Sequence, residues 1–465
     1  MRLFKLITGA SILVLLTTAC SFTSESPETL MKDSPIYNES KEELYAQIQQ
    51  KIPEKSSLLL PANSSECGKI NEVDLDGDGK DELVVFEKKE NLSENNNQVG
   101  FMILVQNYNG SYTEEGSQLE EGDSIEYANF YDLNNDGNKE IILLIKNKNK
   151  TNMYIYSLKD GEINKIDILN PTWIKGKEQF SDMMIKIGYI NDDKILDILM
   201  IHHDSKTNKA YASVVNFKDS IELIDYVELS NVKTLKNLYI TIGTIATEKV
   251  GESTVEKKGV FLDIPIVQDN NYITQILYMP NNKLKKAFED DDKSTTKPYY
   301  IPVEDVNNDK VIDIPIVTGS GNGNMYTRKL ADTINWNRWN GKEDEDSGLV
   351  FTIQIYYNYQ YNYRFLIPNN LANNSYIAYE YQDKEALFRF YYYDKKNSKP
   401  KNLFTIAVID KNQIEDKNSP KNSNAITLGE TNEYNFVLYQ NDIKELKKLK
   451  IDIETIKEYF SLIYK

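Results

Sequence analysis

The sequence predicts a mainly β protein built from a repeated unit, with one short helix ahead of it and a small α+β region behind. Three observations carry this reading. A nine-residue acidic turn, Asp74-Leu75-Asp76-Gly77-Asp78-Gly79-Lys80-Asp81-Glu82, recurs in altered form along the chain. The turn runs directly into an apolar stretch of strand length, Leu83-Val84-Val85-Phe86, and so do its echoes. Copies begin at 74, 132, 189, 255 and 305, a period of about 50 to 66 residues, and self-similarity on this scale marks repeat architecture.

In chain order, Arg2 and Lys5 precede an apolar core from Leu6 to Leu16, followed by Thr17-Thr18-Ala19-Cys20. Residues 1–19 therefore read as a secretory signal, too short for a spanning helix. Residues 20–39 are polar, with Ser, Glu and Pro, and read as a flexible tether. Over 40–53, Ser40 as N-cap with Glu43 three residues on forms a capping box, and Leu44, Ile48 and Ile52 follow at helical spacing, stopping at Pro53.

From 55 to 367 strand signals dominate. The second copy is the clearest: Glu140 to Ile145, then Met153-Tyr154-Ile155-Tyr156, a Lys159-Asp160-Gly161 turn, then Ile163 to Leu169. From 374 to 465 the acidic turns stop. Tyr376–Tyr379, Ala386–Tyr391, Leu403–Val408 and Asn435–Leu438 read as antiparallel strands. Asp452 then caps a helix carrying Ile453, Ile456, Phe460 and Ile463 on one face.

The acidic turns point to a hard cation. Asp74, Asp76, Asp78 and Glu82 occupy positions 1, 3, 5 and 9 of the first loop, and Lys80 at position 7 would add a backbone carbonyl. Gly79 at position 6 permits the left-handed backbone that folds the loop back. Four carboxylates this close repel one another unless a cation neutralises them, and all-oxygen donors suit Ca²⁺. The second loop offers Asp132, Asn134, Asp136 and Glu140, with Asn138 at position 7. The loop at 305 offers Asp305, Asn307, Asp309 and Asp313, with Val311 at position 7 and Lys310 in the glycine position, which adds strain and positive charge. The first loop is expected to bind most tightly. The worn copy at 189 has Asn191, Asp193, Lys194 and Asp197 and is expected to hold no metal. The copy at 255 keeps only its strand and Asp263. An EF-hand is excluded, because position 12 is Val85, Leu143 or Ile316 instead of Glu, and strands follow the loops where helices would be needed.

On these loops, residues 55–367 resemble the FG-GAP or VCBS repeats of bacterial surface proteins, related to the calcium loops of integrin α-subunit propellers. The resemblance implies a β-propeller of about five or six blades, each entered through a calcium-clasping turn, with residues 374–465 as a separate small α+β domain. The ending Thr17-Thr18-Ala19-Cys20 resembles a bacterial lipobox, although Thr17 stands where Leu is usual. That resemblance implies a Cys20 carrying diacylglycerol and an extracytoplasmic chain held on the bacterial cell membrane only through its lipidated N-terminus. A plain signal with an incidental cysteine is the alternative. With Cys20 lipidated, Cys67 has no partner for a disulfide.

The net charge of −17 argues against nucleic acid as a partner. His202 and His203 are the only histidines, and adjacent strand residues face opposite ways, which disfavours one shared metal. No Gly-x-Ser-x-Gly elbow is present, and Gly319-Ser320-Gly321-Asn322-Gly323-Asn324 lacks the Lys-Ser/Thr ending of a phosphate loop. The ladder Tyr357-Tyr359-Tyr361-Tyr363-Phe365, read as one strand, would present five rings on one face for stacking on sugars or for packing inward. Trp336 and Trp339 share that ambiguity. Carboxylates are too numerous for a glycosidase pair to be singled out.

The functional expectation is a lipid-anchored β-propeller that binds Ca²⁺ structurally and acts as a binding or scaffold module for an unidentified protein or glycan ligand. The alternative is a surface polysaccharide hydrolase or lyase using the propeller face. A solute-binding lipoprotein is disfavoured, because residues 55–367 lack alternating βα units.

Overall fold

The computed structural model describes residues 39–90, 96–159, 161–168, 174, 181–191, 193–218, 220–267, 270–318, 329–382, 385–393, 399–413 and 425–463. The expected signal segment, Cys20, the tether up to residue 38 and the glycine-rich run 319–324 lie outside these. Helix α1 (Glu39–Lys51) stops ahead of Pro53, as its sequence requires, and the Ile52 N–H still donates to the Ile48 carbonyl at 3.1 Å. Ser40 lies inside this helix, not at its cap.

Antiparallel sheets then follow one another along the chain. Sheet 1 holds β1 (Ser56–Leu58), β2 (Ile70–Val73), β3 (Glu82–Lys89), β4 (Gln98–Gln106) and β5 (Tyr112–Glu121), with β1 and β2 both paired to β3. Sheet 2 is a meander of β6 (Ser124–Tyr131), β7 (Glu140–Asn147), β8 (Lys150–Lys159) and β9 (Glu162–Ile168). The β8–β9 hairpin turns through Gly161 at φ +77°, a left-handed position that favours glycine. Sheet 3 repeats the meander with β10 (Asp182–Gly188), β11 (Asp197–Asp204), β12 (Lys209–Phe217) and β13 (Ile221–Leu229). Sheet 4 contains β14 (Tyr239–Val250), β15 (Ser253–Ile266), β16 (Asn271–Tyr278), β17 (Lys285–Lys286) and β18 (Thr296–Lys297).

The last two sheets exchange strands. After β19 (Ile314–Thr318) of sheet 5, β20 (Lys329–Ala331) joins sheet 6. The chain then returns to sheet 5 for β21 (Thr333–Trp339), β22 (Leu349–Asn358) and β23 (Tyr363–Ile367). Sheet 6 is completed by β24 (Ser375–Gln382), β25 (Glu385–Tyr392), β26 (Lys401–Asp410), β27 (Ile426–Glu430) and β28 (Tyr434–Gln440). Helix α2 (Ile443–Lys448) and helix α3 (Ile453–Tyr459) follow. Asp442 and Asp452 cap them, accepting from the N–H groups of Glu445 and Thr455 at 2.9 and 2.8 Å. Finally β29 (Phe460–Leu462) pairs with β23 at the edge of sheet 5.

The expectation of one helix running on through Phe460 and Ile463 is therefore corrected. Phe460 opens a strand, because pairing with Phe365 lets its backbone join the ladder while its ring enters the core beside Tyr363 and Phe436. That core draws on both sides of the 367–374 boundary, with Tyr356, Tyr363 and Phe365 of sheet 5 packed on Phe390, Phe404 and Phe436 of sheet 6.

Why the strands after the acidic loops read as unbroken apolar runs is visible in β7. Ile141, Leu143 and Ile145 point into a core shared with Val84, Phe86 and Phe101 of sheet 1. The alternate residues Ile142 and Leu144 point into a core shared with Ile198 and Met200 of sheet 3. In β11 the rule repeats: Leu199 and Ile201 meet Val260 and Leu262 of sheet 4. A strand between two packed sheets buries both faces, so period-two alternation disappears. Sheets 4 and 5 meet around Phe261, Ile314 and Trp339. Cores thus join 1 to 2, 2 to 3, 3 to 4, 4 to 5 and 5 to 6; among the described residues none joins sheet 6 to sheet 1. Each fully buried Ile, Leu or Phe in such a core stabilises by roughly 1.5–3 kcal/mol, so the stack of sheets rests on these interfaces.

Candidate metal centre

The acidic loops occupy one recurrent place, the turn leading into an apolar strand: β2 to β3, β6 to β7, β10 to β11, and the turn ahead of β19. In sheets 1, 2 and 3 the residue before the loop pairs with its final acid: Val73 with Glu82, Tyr131 with Glu140, Gly188 with Asp197. In sheet 5 an isolated bridge between Glu304 and Asp313 does the same.

Within the first loop, Asp74 takes the N–H groups of Gly77 and Gly79 at 2.8 and 3.1 Å, one on each carboxylate oxygen. Asp76 accepts from the Asp78 N–H at 3.1 Å, and Asp78 accepts from the Lys80 N–H at 2.8 Å. One oxygen from each of Asp74, Asp76 and Asp78 comes within 4.8 Å of the others. The Lys80 ammonium also reaches Asp78 Oδ2 at 2.8 Å and holds that carboxyl below the usual carboxylate range. Solvent screens this exposed ion pair, so it competes only weakly with a divalent cation.

Glu82 does not belong to that trio. It is buried, and its Oε2 accepts the Leu75 N–H at 2.8 Å. Burial, with the neighbouring aspartates contributing, raises its carboxyl above the usual range. The second loop repeats the design: Glu140 Oε2 accepts the Leu133 N–H at 2.9 Å, and burial pushes Glu140 up to about 7. Asp197 accepts from the Ile190 and Asn191 N–H groups at 3.1 and 3.3 Å and is pushed by burial up to about 6. Asp313 is likewise raised by burial to about 6 and accepts the Thr352 hydroxyl at 2.7 Å. The ninth position is thus a buried staple that closes each turn, while positions 1, 3 and 5 converge at its exposed tip.

The tips of the second loop and of the loop at 305 share one backbone bond pattern, which differs from the first loop's only in that the first acid accepts from position 5 instead of position 4. Asp132 accepts from Asp136 and Gly137 at 3.1 and 3.0 Å; Asp305 accepts from Asp309 and Lys310 at 3.1 and 2.8 Å. Asn134 and Asn307 each accept the N–H two residues on, at 2.9 and 3.1 Å. Asp136 and Asp309 accept the N–H groups of Asn138 and Val311 at 2.8 and 3.0 Å. Arg338 bonds Asp309 Oδ2 at 3.0 Å, a partner the sequence did not foretell.

Position 6 is left-handed in all four loops: Gly79 at φ +84°, Gly137 at +94°, Lys194 at +63° and Lys310 at +73°. Position 4 is left-handed too where described, at Gly77, Asn135 and Asn308 with φ of +72°, +59° and +59°. Gly and Asn tolerate that conformation best, so their recurrence at position 4 was a readable signal. Gly77 has a second constraint: a Cβ there would lie 2.8 Å from the Gly137 carbonyl oxygen. The first two loops are in fact stitched together, the Lys139 N–H donating to the Leu75 carbonyl at 2.9 Å. An equivalent bond joins the loop of sheet 5 to sheet 4, from the Ile312 N–H to the Thr244 carbonyl at 3.0 Å.

The copy read at 255 is not a loop. Residues 253–266 form one continuous strand, β15, hairpinned to β14 through Gly251 at φ +65°. Asp263 lies well inside β15, where it accepts the Thr274 hydroxyl at 2.6 Å and the Lys297 ammonium at 2.7 Å. Both members of that ion pair are buried.

The five-ring ladder is also corrected. Asn362 at φ +56° turns the chain, so Tyr357 ends on β22 and Tyr363 begins β23, with Tyr359 and Tyr361 on the connection. Tyr363 is fully buried in the core, and Trp336 and Trp339 are buried as well. Tyr357 and Tyr359 stack at 5.8 Å, and Tyr361 meets Phe388 and Tyr434 edge-on at 5.9 and 5.2 Å. His202 is fully buried within β11, where burial pushes it down to about 3. The Cys67 thiol is pushed up by burial to about 12 and donates to Asn71 Oδ1.

Residues 74–143, from the first acid of the first loop into the strand after the second, match the FG-GAP-like repeat family. No curated protein matches the chain.

Proposed function

We propose that this chain is a calcium-clasped β-propeller-type module that works outside the cytoplasm, held on the membrane by a lipid at Cys20, and binds a ligand there as a scaffold. One observation carries the metal assignment: three carboxylates, Asp74, Asp76 and Asp78, meet within 4.8 Å on a loop whose backbone bonds recur at 132 and 305. The donors are hard oxygens on a tight anionic turn, which fits Ca²⁺ and not a thiolate- or imidazole-preferring metal. Bound there, the cation would cancel repulsion at the tip that the backbone N–H groups only partly offset. Asp132, Asn134 and Asp136, and Asp305, Asn307 and Asp309, would hold further ions. The carbonyls of Lys80, Asn138 and Val311 would complete each set. Glu82, Glu140 and Asp313 would act chiefly as staples that hold the turn in shape.

The propeller reading is supported by sheets that follow one another in chain order, each sharing a core with the next. The extracytoplasmic reading is supported by the residue 1–20 sequence and by calcium loops of a type that fills at about 10⁻⁴ to 10⁻³ M. The buried interfaces outweigh any single clasp, so calcium is expected to adjust stability without being required for folding.

The test is thermal melting of the mature chain in calcium and in chelator. Calcium at ten to a hundred times its Kd should stabilise by roughly 1.4–2.7 kcal/mol per filled site. Asp76→Ala combined with Asp78→Ala should remove the first loop's share of the shift. A midpoint indifferent to calcium in the wild-type chain would end the metal assignment.

A further inference from the structure

Between sheets 5 and 6 lies a cleft of about 910 Å³. Seven tyrosines line it: the buried Tyr356, and Tyr299, Tyr357, Tyr359, Tyr361, Tyr379 and Tyr381. They come from four separate places, namely the segment before sheet 5, strand β22, the turn after it, and strand β24. Four of the rings are well exposed: Tyr299 50%, Tyr359 65%, Tyr379 39% and Tyr381 67%. Large aromatic rings converging on one open concavity are not explained by packing, since they leave so much surface in water. The floor beneath them is rigid, with Tyr379 over Phe388 and Tyr356 packed edge-on against Tyr363 and Phe390.

The polar groups of the same cleft narrow the ligand. Asp332, where the chain crosses from β20 to β21, and Glu380 on β24 supply carboxylates, and Gln360 supplies an amide. Glu380 is held by Arg389, which is not itself a lining residue. No lysine, arginine or histidine is among the described residues that line the cleft. Carboxylates accept hydrogen bonds and donate none, so they favour a ligand that brings donors, while the tyrosine hydroxyls and the Gln360 amide can also donate to it. Asp332 disfavours phosphate or uronate groups, while Arg389 offsets the charge of Glu380. A proline-rich peptide matches the rings but lacks backbone N–H groups to offer the carboxylates. A pyranose supplies both an apolar C–H face for tyrosine and a rim of O–H donors, at the size that a cavity of this volume accommodates.

We infer that the tyrosine cleft between sheets 5 and 6 binds an oligosaccharide of pyranose units free of anionic groups. This rests on the binding-module reading above and gives that module its ligand class and its place. The cleft shares no residue with the calcium loops, so the two assignments can fail separately.

The experiment is calorimetric titration of the full mature chain, in calcium, with four probes: cellohexaose, the hexamer of N-acetylglucosamine, hexagalacturonate and decaproline. At least one of the two neutral hexasaccharides should bind saturably, and the uronate and the peptide should not. Tyr359→Ala with Tyr381→Ala removes two exposed rings, of which Tyr359 stacks on the half-buried Tyr357. It should weaken the sugar at least about tenfold while leaving the melting midpoint and its calcium shift in place. Failure of both neutral hexasaccharides to bind would overturn the inference. So would preferential binding of hexagalacturonate or decaproline, or an unchanged affinity in the double variant. Sugar binding without any calcium shift would leave this inference standing and remove the metal assignment.

Discussion

The first two acidic loops and the matching corner of sheet 4 treat negative charge in opposite ways. In sheets 1 and 2 the tips carry Asp74, Asp76, Asp78, Asp132 and Asp136, satisfied chiefly by backbone N–H groups and, at Asp78, by the exposed Lys80 ammonium. In sheet 4 the same stitching point, the Thr244 carbonyl, sits beside a lysine supplied by the chain itself. Lys258 Nζ bonds Thr244 Oγ1 at 2.9 Å and Glu256 Oε2 at 2.7 Å. Deeper in that sheet Lys297 neutralises Asp263. Under the proposed metal assignment, the first solution would take its cation from the medium and respond to ambient concentration, whereas the second carries its cation on the chain. Sheet 4 therefore keeps the antiparallel sheet of the other units without their acidic turn.

The largest effect expected from this contrast lies in sheet 4. Lys297 and Asp263 are 0% and 2% exposed, so removing one partner strands a buried charge. Lys297→Met should cost about 3–5 kcal/mol by denaturant titration, with no recovery on adding calcium. Combining it with Asp263→Leu should restore most of that, because a buried pair and a well-packed apolar pair are often close in energy. A loss below about 1 kcal/mol for Lys297→Met alone would break the contrast, since it would show that Asp263 does not need its ammonium.

Sheet 3 stands between the two solutions and supplies a pH test. Asp197 is fully buried and its carboxyl is raised to about 6, because burial disfavours the charged form more than its two N–H bonds favour it. The fold therefore prefers the protonated acid. That contribution is complete below the unfolded value near 3.8 and is lost as pH rises through about 6. Asp197→Asn keeps an acceptor for the Ile190 and Asn191 N–H groups and removes the charge. At pH 7 the variant should be more stable than wild type by roughly 2 kcal/mol, and the advantage should vanish below about pH 4. Stability curves of the two proteins from pH 3.5 to 7.5 would decide it; parallel curves would mean that Asp197 is neutralised by another route.

How much of this was legible follows from where the information sits. The acidic turns and the strands after them could be read, because a turn with its own hydrogen bonds and a strand buried on both faces are local statements. Position 4 shows in the sequence as a recurrent Gly or Asn, and its left-handed backbone is what those residues tolerate. The copy at 255 was misplaced because an isolated Asp263 before apolar residues looks like the end of a loop; only its distant partner Lys297, 34 residues on, shows that it is a core acid. The tyrosine ladder failed for the converse reason: alternation was real on each side of Asn362, but the left-handed turn there splits it into two strands. The exchange of β20 and β29 between sheets depends on pairing at long range, with Phe365 meeting Phe460, and nothing local announces it. The cleft was half legible, since Tyr357, Tyr359 and Tyr361 do line it, whereas Tyr379 and Tyr381 arrive from another sheet.

The smallest effect sharpens the comparison inside the loops themselves. Lys310 holds the left-handed position 6 at φ +73°, where the first two loops use glycine. An L-residue there costs roughly 1–2 kcal/mol, and glycine would return some 0.5–1 kcal/mol of that as lost freedom of the unfolded chain. The 3.9 Å approach of Lys310 Nζ to Glu256 is exposed and contributes little. Lys310→Gly preserves the N–H that donates to Asp305 and should raise stability by about 0.5–1 kcal/mol in chelator. Because it also removes a positive charge from the loop that carries Asp305 and Asp309, its calcium-induced shift should exceed that of wild type. A lower midpoint in chelator would show that the lysine contributes packing beyond its backbone angle. An unchanged calcium shift would mean that the loop at 305, like sheet 4, needs no external ion.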